Sequence, residues 1–214
     1  MQAAAPVGGT VVDVGTHIGT MMMAFADKVG SSGLVIGIEA QRNLASMAAK
    51  NAALNGHSHV HIINAAIDSS TSTCLMAVAS HTNEDITNFG GFGVRVCSRD
   101  MQQACALSPT GCAPHPAPDV RTVEDNQVYT WLPAITIDSL QLRSCDLIKL
   151  DVEGWENRAL EGGMQTIARF RPVLFFEVSV VGVVWCCGCD LCNTCSLRRR
   201  ALQLQTAQSS RASS

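Results

Sequence analysis

Positive charge is scarce in this chain: lysine occurs three times, and all charged residues together make up 15% of the sequence. With a formal net charge of -3, no basic face is available to neutralise a phosphate backbone, so no nucleic-acid partner is expected. The short run Arg198-Arg199-Arg200 does not alter that and reads as a solvated segment. A targeting signal is missing too. Met1-Gln2-Ala3-Ala4-Ala5-Pro6 has neither a basic region nor an apolar core, which makes a cytoplasmic location the expectation. Nor is a membrane span expected: the longest apolar stretch, Pro172 to Cys189, contains Glu177, and a bilayer-crossing helix needs about 20 apolar residues without a central carboxylate. Its opening, Val173-Leu174-Phe175-Phe176, reads instead as a buried parallel strand.

What is present is a hydrophobic chain, 47% apolar over 214 residues, enough to bury one sizeable core. Its most telling segment is Val11-Val12-Asp13-Val14-Gly15-Thr16-His17-Ile18-Gly19-Thr20, followed by helix-like Met21 to Val29. A strand, a glycine turn and a helix start in that order form the place where α/β proteins hold nucleotide-like ligands. A second apolar run, Leu34-Val35-Ile36-Gly37-Ile38, ends in Glu39, at the offset where an acid can reach ribose hydroxyls.

One glycine is absent from that turn. A diphosphate-binding loop wants G-x-G-x-x-G, so that the backbone can approach the phosphates; here the middle position is His17, and Asp13 stands two residues before the first glycine. A fixed anion there repels a diphosphate and attracts an ammonium or sulfonium. S-adenosylmethionine, with both cations beside a ribose and an adenine, suits the pattern better than NAD or FAD. A turn whose glycines serve packing alone remains an alternative on these residues.

Further along, strands alternate with helices. Asn43 to Leu54 has helical spacing and stops at Asn55-Gly56; Val60 to Ile67 reads as a third strand closing at Asp68. From Ser69 to Pro133 the periodicity weakens into an insertion or hairpin region, with Pro109 to Asp119 a mobile loop. Ala134 to Leu140 reads as short and extended, Asp146 to Gly154 as a fourth buried strand with an acidic end, and Trp155 to Phe170 as a helix with Gly162-Gly163 its weak point. The apolar runs stop at Asp13, Glu39, Asp68, Asp151 and Glu177. In a mostly parallel sheet these ends share one edge, the edge where open α/β folds bind ligands. Two other features carry less. His57, His59 and His61 alternate but fall at the opposite edge and read as surface histidines, and Met21-Met22-Met23 reads as core packing behind the glycine turn.

Taken in order, Val11 to Thr20, Ile38-Glu39-Ala40, Asn64 to Ile67, Asn88-Phe89-Gly90-Gly91-Phe92, Ile135 to Leu140, Cys145 to Gly154 and Arg171 to Glu177 resemble the successive blocks of FkbM-type methyltransferases, Ile-Lys-Leu-Asp-Val-Glu-Gly being the most specific. The resemblance implies a Rossmann-like class I methyltransferase sheet over residues 1–178, with an irregular insertion at about 69–133, and S-adenosylmethionine-dependent transfer, most often to oxygen. By that analogy Asp13, Gly15 and Gly19 line the methionine part of the cofactor, with Thr16 and His17 in the same loop. Glu39 holds the ribose, and Ala66, Ile67 and Asp68 flank the adenine. Asp151 and Glu153 face the methyl group and a small-molecule hydroxyl acceptor, Asp151 being the first candidate for the base and Glu153 the next. A third ligand that would make a metal site of these two acids is not evident.

The end of the chain departs from the pattern. The expected final strands are replaced by residues 179–214, a Cys-rich segment expected to be poorly ordered, in which Cys189-x-x-Cys192-x-x-Cys195 lacks the second pair or histidine that a zinc site requires. That departure leaves a second functional expectation beside the enzyme: a non-catalytic cofactor-binding or interaction protein with a truncated methyltransferase core.

Overall fold

The computed structural model describes residues 4–71, 75–78, 94–96, 121–124, 127–152, 154–176 and 185–187. Its centre is a strand that can be nothing else: Thr10–Val14 (β1) is buried at every position, and four of its five residues are β-branched. Beyond a glycine turn, Thr20–Val29 (α1) buries Met22, Phe25, Ala26 and Val29, the three- and four-residue spacing of one helical face. Leu34–Glu39 (β2), Arg42–Leu54 (α2) and Val60–Asn64 (β3) continue the alternation.

After the insertion come Leu147–Leu150 (β10), the helices Glu156–Glu161 (α3) and Met164–Phe170 (α4), and Val173–Phe176 (β11). Trp185–Cys187 (β12) is the last described strand. The six-stranded sheet runs β12-β11-β10-β1-β2-β3. All its pairings are parallel except that of β12, which lies antiparallel on β11. From β1 the chain builds outward through β2 to β3, then returns to the other side of β1 with β10. The order therefore reverses between β1 and β10, and the crevice at their carboxyl ends is where open α/β sheets bind ligands.

Both faces of the sheet are covered. Val11, Val35 and Leu147 pack with Met22, Phe25, Ala26 and Ala48 of α1 and α2, whereas Val12, Val14, Ile36, Ile148 and Leu174 pack on the other side with Ala159 and Ile137. Met22 is wholly buried with Met21 and Met23 packed around it, so the methionine run does serve the core.

Several boundaries differ from the expectation, each for a local reason. The third strand stops at Asn64 because its partner β2 ends at Glu39, the residue paired with Asn64. The chain turns at Ala65, and Ala66–Ile67 (β4) pairs instead with Ala134–Ile135 (β9). The extended reading of 134–140 holds only for β9. Asp138–Leu140 is a 3-10 turn, closed by Ser139 Oγ donating to Thr136 O at 2.6 Å and Ser139 N donating to Thr136 Oγ1 at 3.0 Å. The helix expected over 155–170 is two helices, broken at Gly162-Gly163, where a Cβ on Gly162 would overlap the main-chain carbonyl of Asp68.

Within the irregular insertion, Leu75–Val78 (β5), Val94–Val96 (β6), Arg121–Glu124 (β7) and Gln127–Leu132 (β8) form a second, antiparallel sheet in the order β6-β5-β8-β7. The expected loop at 109–119, the Asn88 to Phe92 block, Glu177 and the tail cysteines 189, 192 and 195 lie outside the described residues. So does the rest of 179–214 apart from β12, which shows that the apolar stretch beginning at Pro172 holds two strands rather than one. Among the described residues no helix is long and apolar enough to cross a membrane.

Candidate functional site

The glycine turn after β1 is tied down from three sides. Gly15 N and Thr16 N donate to Ile38 O at 2.9 and 3.2 Å, and Gly19 N donates to Thr16 O at 2.9 Å. His17 N donates to Glu39 Oε2 at 2.8 Å, and Asn51 Nδ2, from α2, donates to Ile18 O at 2.8 Å. Gly15 and Gly19 have φ of 75° and 92°, the left-handed region that glycine enters freely, and His17 joins them at 54°.

Glu39 is 7% exposed, and its second oxygen accepts Gln41 N at 2.8 Å. Burial pushes its carboxyl above the ordinary glutamate value, while those two backbone donors hold it part way down. A raised folded pKa means that the folded state favours the neutral form. Stability from this group is therefore greatest below the unfolded value of about 4.3 and is lost as pH rises through the folded value. In thermal melts against pH, Glu39→Gln is expected to flatten that fall relative to wild type; an unchanged slope would assign the pH dependence elsewhere.

Asp13 lies one strand inward. Its carboxylate is fully buried, with Thr16 Oγ1 donating to Oδ2 at 2.9 Å and Lys149 Nζ 3.0 Å from Oδ1. Register explains the pairing, since Asp13 on β1 stands opposite Lys149 on β10. Lys149 Nζ also lies 3.4 Å from Asp151 Oδ2 and donates to Gly15 O at 3.3 Å. Burial pushes the Asp13 carboxyl up, and the ammonium pulls it part way back. Of the two carboxylates only Asp151, with a side chain 49% exposed, reaches solvent. Its main chain lies against the turn, so closely that a Cβ on Gly15 would overlap the Asp151 carbonyl.

The structure thus brings Asp13, Gly15, Thr16, His17, Gly19, Glu39 and Asp151 together at the reversal point of the sheet. Ala66 and Ile67 are buried beside it, Ala66 in a cluster with Ala40, Leu132, Ala134 and Trp155. Asp68 is placed differently. It is fully buried, and its two oxygens face Arg158 of α3, with Arg158 Nη2 donating at 2.9 Å and Arg158 Nε closer still. Glu153 lies outside the described residues.

Sequence reasoning missed Lys149 and Arg158. For Lys149 a signal existed: a lone lysine in the buried run Leu147–Leu150 needs a buried acid, and Asp13 is the acid of the neighbouring strand. The surface reading of the histidines also needs correction. Only His61 is exposed. His59 Nε2 lies 3.1 Å from Ala26 O, His57 Nε2 lies 3.5 Å from Asp27, and the two rings meet edge to face at 5.5 Å, fastening the β3 approach to the end of α1.

A parallel sheet with an order reversal at a glycine turn, and acids at its carboxyl edge, defines the Rossmann-like class of ligand-binding α/β proteins. The methyltransferase FkbM domain model matches residues 13–182, and the chain belongs to that family. Among solved structures, the chain is similar to an FkbM methyltransferase from Methylobacillus flagellatus KT, at 16% identity over 78% of this chain and 32% of that one, with a TM-score of 0.46. It is also similar to a SAM-dependent methyltransferase from Aquifex aeolicus, at 12% identity over 84% and 63% of the two chains, TM-score 0.35. A putative rRNA-methylase from Clostridium thermocellum matches at 27% identity over 30% and 36%, TM-score 0.29. The chain therefore spans about a third of the FkbM methyltransferase structure it matches. Comparison with curated proteins finds no match.

Proposed function

We propose that this chain binds S-adenosylmethionine and transfers its methyl group to a hydroxyl of a small molecule, such as a sugar, lipid or polyketide-like compound. The observation that carries the reading is the state of the turn. The N–H groups of Gly15, Thr16, His17 and Gly19, which a diphosphate would need, already serve Ile38, Glu39 and Thr16. Beside it stand two carboxylates and one ammonium, and Glu39 adds a third carboxyl group bonded to the turn itself. That acid-rich setting fits a sulfonium and disfavours a diphosphate.

In this reading Gly15, Thr16, His17 and Gly19 form the cradle for the methionine part, with Asp13 buried behind the turn and holding Thr16. Glu39 keeps lone pairs free to accept ribose hydroxyls alongside its two backbone bonds. Ala66, Ile67 and Asp68 border the adenine, with Asp68 held in place by Arg158. When bound, the cofactor supplies a methyl group already activated for displacement. What remains for the protein is to orient the acceptor oxygen, worth about 7–11 kcal/mol in favourable cases, and to take up its proton. Asp151, half-exposed at the edge of the turn, is the group for that proton, and Glu153, two residues on in the sequence, is the next candidate.

Calorimetry tests the cofactor assignment: S-adenosylmethionine is expected to bind and NAD not to. Binding of NAD alone would overturn it. Transfer of labelled methyl from S-adenosylmethionine into a library of hydroxyl compounds tests the reaction, and binding without transfer would favour a non-catalytic cofactor-binding protein.

A further inference from the structure

Lys149 is 6% exposed in its side chain and faces three acceptor oxygens: it donates to Gly15 O at 3.3 Å and forms ion pairs with Asp13 Oδ1 at 3.0 Å and Asp151 Oδ2 at 3.4 Å. Those acceptors come from β1, the glycine turn and the end of β10, so one ammonium joins the parts of the site that the chain reversal brings together. Its two carboxylates differ sharply in access. Asp13 is fully buried and can touch no ligand, whereas Asp151 is half-exposed, with its main chain against Gly15. The ammonium lies nearer the buried acid, and the uncompensated negative charge of the trio therefore falls at Asp151, the one member a ligand can meet.

We infer that Lys149 is a positioning residue for ligand charge. By dividing its compensation between Asp13 and Asp151, it sets the negative charge that Asp151 presents, and so the preference of the site for cationic S-adenosylmethionine over the neutral thioether S-adenosylhomocysteine. The inference rests on the cofactor reading above. It assigns Asp13 an effect on selectivity without contact. If Asp13 loses its charge, the ammonium has only Asp151 to serve, and Asp151 is silenced. If Asp13 and Lys149 are both made neutral, Asp151 regains its full charge.

The test is calorimetric titration of the full chain with S-adenosylmethionine and S-adenosylhomocysteine, read as the ratio of their affinities, with thermal melts confirming the fold of each variant. Asp13→Asn is expected to lower the ratio about tenfold, the size of effect that one nearby charge exerts in a partly screened site. Asp151→Asn should lower it similarly. The double variant Asp13→Asn, Lys149→Met should restore the wild-type ratio or exceed it, a recovery that a merely structural lysine could not produce. A folded Asp13→Asn variant with an unchanged ratio, or a folded double variant without recovery, overturns the inference and leaves the cofactor reading standing. Wild-type protein that binds neither probe overturns both.

Discussion

Lys149→Met is expected to cost the fold about 3–5 kcal/mol, the usual effect of removing one partner of a buried ion pair. Single domains are stable by only about 5–15 kcal/mol, so the variant should be marginal at neutral pH. The cause is the partner left behind. Asp13 is fully buried, and without the ammonium its carboxylate is left with the hydrogen bond from the Thr16 hydroxyl. Methionine fills nearly the same volume, so the loss is electrostatic rather than a cavity. The sign of its pH dependence follows. Burial already raises the Asp13 pKa, and removing Lys149 raises it further, so the folded state comes to favour the protonated acid. The deficit should shrink as pH falls toward the unfolded value of about 3.9 and grow as pH rises through the folded one. Denaturant melts across that range measure it, and Asp13→Asn in the same chain should restore most of the stability. A single variant as stable as wild type at pH 7 would show that the pair is not the anchor of this sheet.

The same pair shows where the sequence was legible and where it was not. Periodicity exposes every parallel strand of the main sheet, because each is an apolar run bounded by glycine, proline or an acid, whereas the reversal at β1 appears only in the strand order of the structure. The turn was legible as a ligand loop because glycine at positions 15 and 19 is demanded by positive φ. Partnering across strands is another matter, because it depends on register. Asp13 looked like a free anion aimed at a ligand, yet it faces Lys149, 136 positions along the chain, only because Val12 pairs with Ile148 and Val14 with Leu150. Asp68 likewise looked like a strand-end acid for the adenine, yet it meets Arg158, a residue one helix beyond the acidic end of β10. Strand endings were illegible for a related reason: β3 stops where β2 runs out, which no residue in β3 itself announces. The argument for a cationic ligand survives the correction in altered form. In the reading proposed above, the attracting charge is the surplus of a trio, displayed by Asp151, rather than the bare carboxylate of Asp13.

Gly15→Ala is expected to be the most damaging conservative change in the turn, and Gly56→Ala is its control. Both glycines have positive φ, 75° and 73°, so alanine at either carries a backbone penalty of about 1 kcal/mol. Around Gly56 a new Cβ meets nothing within 4 Å, whereas at Gly15 it overlaps the Asp151 carbonyl. Relief would require β1 and β10 to part at their carboxyl ends, stretching the bond that Asp151 N donates to Val14 O at 3.0 Å and the one that Lys149 donates to Gly15 O. Overpacking of a closed site adds about 1–3 kcal/mol. For a chain of this size each kcal/mol lowers Tm by about 2–4 °C. Thermal melts should therefore place Gly56→Ala a few degrees below wild type and Gly15→Ala about 10 °C below it. Calorimetry should find S-adenosylmethionine affinity retained in the first and lost in the second, because the displaced strand ends carry both the turn and Asp151. Equal losses in the two variants would mean that backbone conformation alone, and not the contact between β1 and β10, requires glycine at position 15.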